Sequence, residues 1–151
     1  MKMLARLAAS TCLVLAGSAV MSTASNAQAM DSLTTTFNSN NGQNGAIFDI
    51  EVLANAGLTV TSFDINLDPG DHQIALYTRN DSSIGNQNSA AGWTLREIVA
   101  VTSNGNNVPT NVDYADFAVA GNGAVTGIYL VSTAGNNFNY TNGTGVGNTA
   151  A

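Results

Sequence analysis

The sequence predicts an all-β fold, an antiparallel β-sandwich of jelly-roll type, on three observations. Only 9% of the 151 residues are charged, and Asn, Gly, Thr and Ser supply the polarity in their place. Long exposed helices draw on Glu, Lys and Arg for propensity and side-chain pairing, so this composition disfavours them. Short runs of Val, Ile, Thr and aromatic residues fit a pleated, half-buried surface. Clusters of Asn, Gly and Pro with turn chemistry separate these runs, at a spacing that gives roughly seven or eight strands.

The first 29 residues follow another pattern. Lys2 and Arg6 make a positive end, residues 7–21 are apolar or small, and Ala27-Gln28-Ala29 fits a small-x-small cleavage site. The segment reads as a signal peptide, residues 1–29, cut after Ala29, so the protein is expected to be exported to the cell surface or the medium. Ser10, Thr11, Gly17 and Ser18 break the apolar stretch, which argues against a membrane anchor. Cys12, the sole cysteine, follows Ala9-Ser10-Thr11 and lies inside the apolar region, unlike a lipoprotein cysteine. The mature chain, residues 30–151, then has neither a disulfide nor a transmembrane span. It keeps Arg79 and Arg96 against ten carboxylates, a formal net charge of −8. Such a surface repels phosphate backbones and argues against nucleic acid as a partner. A chain of this size buries roughly two-thirds of its unfolded surface, enough for one sandwich domain.

From the mature N-terminus, Leu33-Thr-Thr-Thr-Phe37 is a β-branched run, followed by a polar loop over residues 38–45 with Asn41-Gly42 and Asn44-Gly45. Residues 46–53 place Phe48, Ile50 and Val52 on one face and Asp49 and Glu51 on the other, the alternation of a half-buried strand. The clearest pair of strands lies in residues 58–79. Leu58 and Val60 share one parity while Phe63, Ile65 and Leu67 share the opposite one. A β-bulge near Thr61-Ser62 restores a single core stripe. Asp68-Pro69-Gly70-Asp71 sets Pro and Gly at the centre of a type II turn. That turn splays strands, so the connection can cross between sheets. Beyond it, Ile74 and Leu76 are assigned to the core, with Gln73, Tyr77 and Arg79 on the other face.

After a polar loop over residues 80–92, Trp93, Leu95, Val99 and Val101 share one face, which assigns Trp93 to the core. Glu97 interrupts that face, so either the strand bulges near Arg96-Glu97 or the carboxylate sits at the core edge with a partner. Strands over residues 112–120 and 124–133 follow, with Gly121-Asn122-Gly123 between them as a hairpin signal. Gly127-Ile-Tyr-Leu-Val131 is apolar on both parities and is placed centrally in its sheet. Phe138 and Tyr140 make one more short strand. The last residues, TNGTGVGNTAA, are loop-like, and the expected sandwich lacks its closing C-terminal strand.

The signal peptide, LTTTFNSNNGQNGAIFDI, LTVTSFDINL with IALYTR, SAAGWTL, GIYLV and FNYTNGTGVGN form an ordered series over most of residues 33–148. This series resembles exported Asn/Gly/Thr-rich β-sandwich domains of bacterial surface proteins, including those of PEP-CTERM type. The resemblance implies an envelope or extracellular-matrix role associated with exopolysaccharide. The sorting tail of that class and its further strand after the Asn/Gly-rich turn are not in this sequence.

No residue pattern points to catalysis. His72, the sole histidine, stands beside a turn without a nucleophile elbow and reads as an exposed turn residue. The pairs Asp49/Glu51 and Asp113/Asp116 could be drawn as a glycosidase pair, but their spacing is ordinary for strand faces and ends. Gly143-Thr-Gly-Val-Gly147 has no helix signal after it and reads as a loop. The one metal candidate is calcium, with Asp64, Asp68, Asp71 and Asp81 bracketing the Pro69-Gly70 turn and the following loop; otherwise no cofactor is expected. Sandwiches bind glycans by setting an aromatic ring against a sugar face among amides, carboxylates and guanidinium groups. Gln73, Tyr77 and Arg79 are the exposed set that fits. The expected function is a non-catalytic structural or adhesive surface protein, whose partners are extracellular polysaccharide or other surface proteins. A carbohydrate-binding module is the alternative and a glycoside hydrolase a distant third.

Overall fold

The computed structural model describes residues 4–9, 29–33 and 37–141, the first two segments through their strand pairing alone except at Ser32 and Leu33. Most of the expected signal peptide with Cys12, part of the Leu33–Phe37 run, and all of the loop-like tail but Thr141 lie outside the described residues. The described chain is all-β. In order, the strands are β1 (Leu4–Ala9), β2 (Ala29–Leu33), β3 (Asn41–Gln43), β4 (Gly45–Val52), β5 (Leu58–Ile65), β6 (Asp71–Arg79), β7 (Thr94–Thr102), β8 (Thr110–Val119), β9 (Ala124–Ser132) and β10 (Phe138–Tyr140).

Two four-stranded antiparallel sheets make the sandwich, one in the order β2-β1-β5-β8 and the other β4-β9-β6-β7, with β3 and β10 paired as a small accessory ribbon. β3 falls inside the stretch expected to be a polar loop. Its residues Asn41-Gly42-Gln43 have turn chemistry, but pairing with Phe138–Tyr140 satisfies their backbone groups and overrides that preference.

The core is the pair of facing inner surfaces. Val60, Phe63, Leu67, Ile74, Leu76, Val112, Ile128 and Leu130 are fully buried. Phe63 is its hub, with Phe48, Tyr114 and Phe117 ring centroids 6.1, 6.2 and 6.4 Å away. The Phe48 and Tyr114 contacts are edge-on, a geometry that adds about 0.5–1.5 kcal/mol per pair beyond area burial. Tyr114 carries its hydroxyl into this core and donates to the Ile74 carbonyl at 3.3 Å. Burial, with the Glu97 charge as a lesser cause, pushes the phenol far above its ordinary value.

The parity break in β5 is resolved as the sequence requires. Thr61 is skipped between Val60 and Ser62 in the pairing with β1, and the register against β8 shifts at the same place. Both Val60 and Phe63 thereby face the core. At the end of β5 the chain leaves one sheet and enters the other through Pro69-Gly70, with Gly70 at φ 127°. The second bulge lies in β7. Leu76 pairs with Glu97 and Tyr77 with Leu95, so Arg96 is the extra residue. Glu97 then lies at the core edge, where Oε2 accepts the Ala115 amide at 2.8 Å. Arg96 donates from Nε to Thr78 Oγ1 at 2.9 Å and lies 5.7 Å over the Phe117 ring.

That same bulge overturns the shared face assigned to Trp93, Leu95, Val99 and Val101. Val99 and Val101 pack on the core, but Leu95 is 46% exposed on the opposite surface. Gly121-Asn122-Gly123 is also corrected. It does not close a hairpin, because β8 belongs to one sheet and β9 to the other. Asn122 and Gly123 do adopt positive φ, as that dipeptide favours. Their amides are drawn onto the carbonyls of Ala54 and Val52, each at 2.8 Å, and the turn becomes a crossover.

The abundance of Asn has a structural use. Buried Asn66 donates to Asn107 Oδ1 at 3.1 Å and accepts the Asn107 amide at 2.8 Å. Asn111 donates to Ser62 and Asp64, and Asn137 to Ser132. The amide side chains thus satisfy loop and sheet-end groups that no ladder reaches.

Candidate functional site: an aromatic outer face

The outer surface of the β4-β9-β6-β7 sheet gathers the residues suited to binding. Strand register fixes the arrangement. Tyr77 on β6 pairs with Tyr129 on β9, and Arg79 with Gly127. On the far side of β9, Ile47 pairs with Tyr129 and Asp49 with Gly127. Directly paired residues share a face, so Tyr77, Tyr129, Ile47, Arg79 and Asp49 stand together. The Tyr77 and Tyr129 rings stack at 5.8 Å and 28°. Burial, and secondarily Tyr77, pushes the Tyr129 phenol up, so it stays a neutral donor and acceptor.

Residues 80–93 close over one end of this face and bring Trp93 onto it. Trp93 is half-buried, its ring meets Tyr129 edge-on at 6.0 Å, and its indole N–H donates to the Asn86 carbonyl at 3.2 Å. It is therefore not a core residue. It precedes β7 in the loop, so the strand parity that assigned it inward does not extend to it.

Arg79 joins the loop to the sheet. Its guanidinium lies 5.7 Å over the Trp93 ring, donates from one terminal nitrogen to the Ala91 carbonyl at 3.2 Å, and stands 3.7 Å from Asp81 Oδ2. Gly127 makes room beneath it, since a Cβ there would come within 2.6 Å of Arg79 Cγ. The Arg79 side chain is only 10% exposed, so the free guanidinium expected from the sequence is instead a clamp. Its Nε is buried without a hydrogen-bond partner, a cost that cation–π contact with Trp93 offsets.

Asp49 anchors the other side of the loop. Its carboxylate accepts Ser82 Oγ at 2.6 Å and the Ser83 amide at 2.7 Å. Burial opposes ionisation, but these hydrogen bonds and the Arg79 charge outweigh it and hold the carboxyl below its usual range.

Gln73 stands apart from this group. It is exposed on the same strand four residues from Tyr77, roughly 13 Å along a strand. It lines an open groove of about 550 Å³ with Asp71, His72, Thr102 and Thr133 among others. His72 is only 8% exposed, and its Nε2 lies 2.7 Å from the Asp68 carbonyl. The histidine expected in solvent thus pins the turn, because the strand begins at Asp71 and turns that ring inward.

The four aspartates considered for calcium have separate partners. Asp64, itself buried, accepts from Asn111 at 2.7 Å, Asp68 from Asn139 at 2.9 Å, and Asp71 from Thr102 at 2.6 Å. Asp81 accepts the Ser82 amide at 2.7 Å and faces Arg79. Among the described residues, no three His, Cys, Asp or Glu side chains are grouped to hold a metal. No helix among the described residues is long and apolar enough to cross a membrane.

Sequence reasoning found Tyr77 but missed Tyr129 and Asp49 as its companions. The signal was present: Tyr129 is the aromatic residue in a strand apolar on both parities, and one of those parities must face outward. No protein-family model, curated protein or solved structure matches the chain.

Proposed function

We propose that this chain is an exported, non-catalytic β-sandwich that serves at the cell surface or in the extracellular matrix as a structural and adhesive protein, and that its adhesive contact is to polysaccharide. The observation that carries this reading is the half-exposed Tyr77–Tyr129 stack with Trp93 at its edge. Aromatic faces take the C–H surface of a sugar ring, while the phenol hydroxyls and nearby polar groups supply hydrogen bonds. The net charge of −8 on residues 30–151 favours neutral over acidic polysaccharides. The N-terminal charge and hydropathy pattern and the resemblance to PEP-CTERM-type surface domains support the location.

A hydrolytic reading has less support. Asp49, a carboxylate on the same face as the aromatic stack, is engaged by Ser82, Ser83 and the Arg79 charge, and a carboxyl held ionised is a poor general acid. Pull-down of the secreted protein on insoluble neutral polysaccharides tests the proposal. Retention should fall when Tyr77 is replaced by Ala. Product release from soluble oligosaccharides would instead favour a hydrolase.

A further inference from the structure

A second interaction surface lies on the opposite sheet, at the edge of β5. β5 carries the centre of the core, with Val60 and Phe63 fully buried and Ile65 1% exposed. It pairs with β8 on one side and with β1 on the other, through Thr59, Val60, Ser62, Phe63 and Asp64. β2, in turn, has β1 as its paired strand among the described residues. Leu4–Ala9 therefore sits between two strands of the domain, although it belongs to the segment whose pattern reads as a signal peptide.

Under the export reading proposed above, on which this inference rests, cleavage after Ala29 removes β1, the strand paired with both β5 and β2, and so exposes two complementary strand edges. One is the β5 edge, a row of backbone donors and acceptors beside the apolar core. The other is the N-terminal arm, residues 30–33. An open edge of this kind templates strand addition. Direction selects the source of the strand. β2 is antiparallel to β1 and β1 is antiparallel to β5, so the arm runs parallel to β5 of its own chain. Sliding it sideways into the gap gives a parallel pair in an otherwise antiparallel sandwich, whereas the arm of another copy can enter antiparallel, the slightly more stable pairing per residue. The bulge at Thr61 restricts the occupant further, because a strand must skip that residue as β1 does between Arg6 and Leu7. Bulged edges resist indiscriminate pairing.

We infer that removal of the leader turns the β5 edge into an acceptor for the N-terminal arm of a second copy of this chain, so that processed molecules assemble by strand exchange while the leader blocks the same edge beforehand. The test compares the full chain, made by cell-free synthesis without membranes, with the protein recovered from the medium of a secreting host. Intact mass establishes whether residues 1–29 have gone, and sedimentation gives the assembly state. The expected result is a monomeric full chain and a processed chain of at least twice the monomer mass. Excess synthetic peptide of residues 4–9 should return the processed chain to monomer, as should Ser32→Pro, which removes a backbone donor from the arm. A cleaved chain that stays monomeric, or an assembly indifferent to both peptide and Ser32→Pro, overturns the inference and leaves the export reading intact. A secreted chain whose mass still includes residues 4–9 overturns both.

Discussion

The molecule carries two aromatic clusters, one on each side of the same sheet, and they are built by different rules. Inside, Phe63 gathers Phe48, Tyr114 and Phe117 with one phenol hydrogen bond among them. Outside, Tyr77, Tyr129 and Trp93 are only half-buried and are framed by Arg79, Asp49, Asp81 and the backbone of residues 80–93. The inner cluster needs apolar volume alone and gains its energy from exclusion of water. The outer cluster is held in place by polar groups that packing does not demand. Ring area kept accessible in this way is what the proposed binding surface requires and what a second core would not.

Substitutions separate the two. Phe63→Ala should be the most damaging, costing about 3–5 kcal/mol by chemical denaturation, since a fully buried ring leaves a cavity that two sheets cannot close. A loss below about 1 kcal/mol would show that the inner cluster is not the hub. Gly127→Ala should cost less, about 1–3 kcal/mol, because the new methyl displaces Arg79 from beneath the loop. Its effect should extend to the outer face, with Trp93 fluorescence shifted towards that of an exposed indole. An unchanged spectrum would disconnect Arg79 from the site.

Asp49→Asn sharpens the comparison most gently. The Asp49 carboxyl titrates below its unfolded value in the folded chain. Its contribution is therefore present above about pH 4 and lost as pH falls through the folded value. The wild type should lose this part of its stability progressively as pH falls below about 4, and Asp49→Asn should flatten that limb of the melting-temperature profile. Identical acid limbs would mean that the Ser82 and Ser83 contacts do not persist in solution.

The inner cluster was largely legible in the sequence, because burial imposes parity. Phe63, Ile74 and Leu76 could be placed from alternation alone, and the conflict between Val60 and Phe63 located the bulge at Thr61. The outer cluster was legible only in part. Tyr77 follows from strand parity, but its pairing with Tyr129 depends on β6 and β9 being neighbours, a long-range register that local pattern does not encode. Trp93 was misplaced because parity was carried across a strand start and a bulge. Arg79 looked free because nothing local reveals that Gly127 opens space for it. The hairpin signal at Gly121-Asn122-Gly123 was correct in its dihedral angles and wrong in its consequence, since sheet membership is decided by which surfaces must be buried.

The central claim is that the outer rings bind and the inner rings hold the fold. It is tested most directly by measuring affinity of the secreted protein for a neutral polysaccharide alongside its melting temperature, in wild type and Tyr77→Ala. A loss of about tenfold in affinity, near 1.4 kcal/mol, with a melting temperature lowered by no more than a few degrees, is the predicted result. Undiminished binding by Tyr77→Ala, or no binding by the wild type to any neutral polysaccharide, would contradict it.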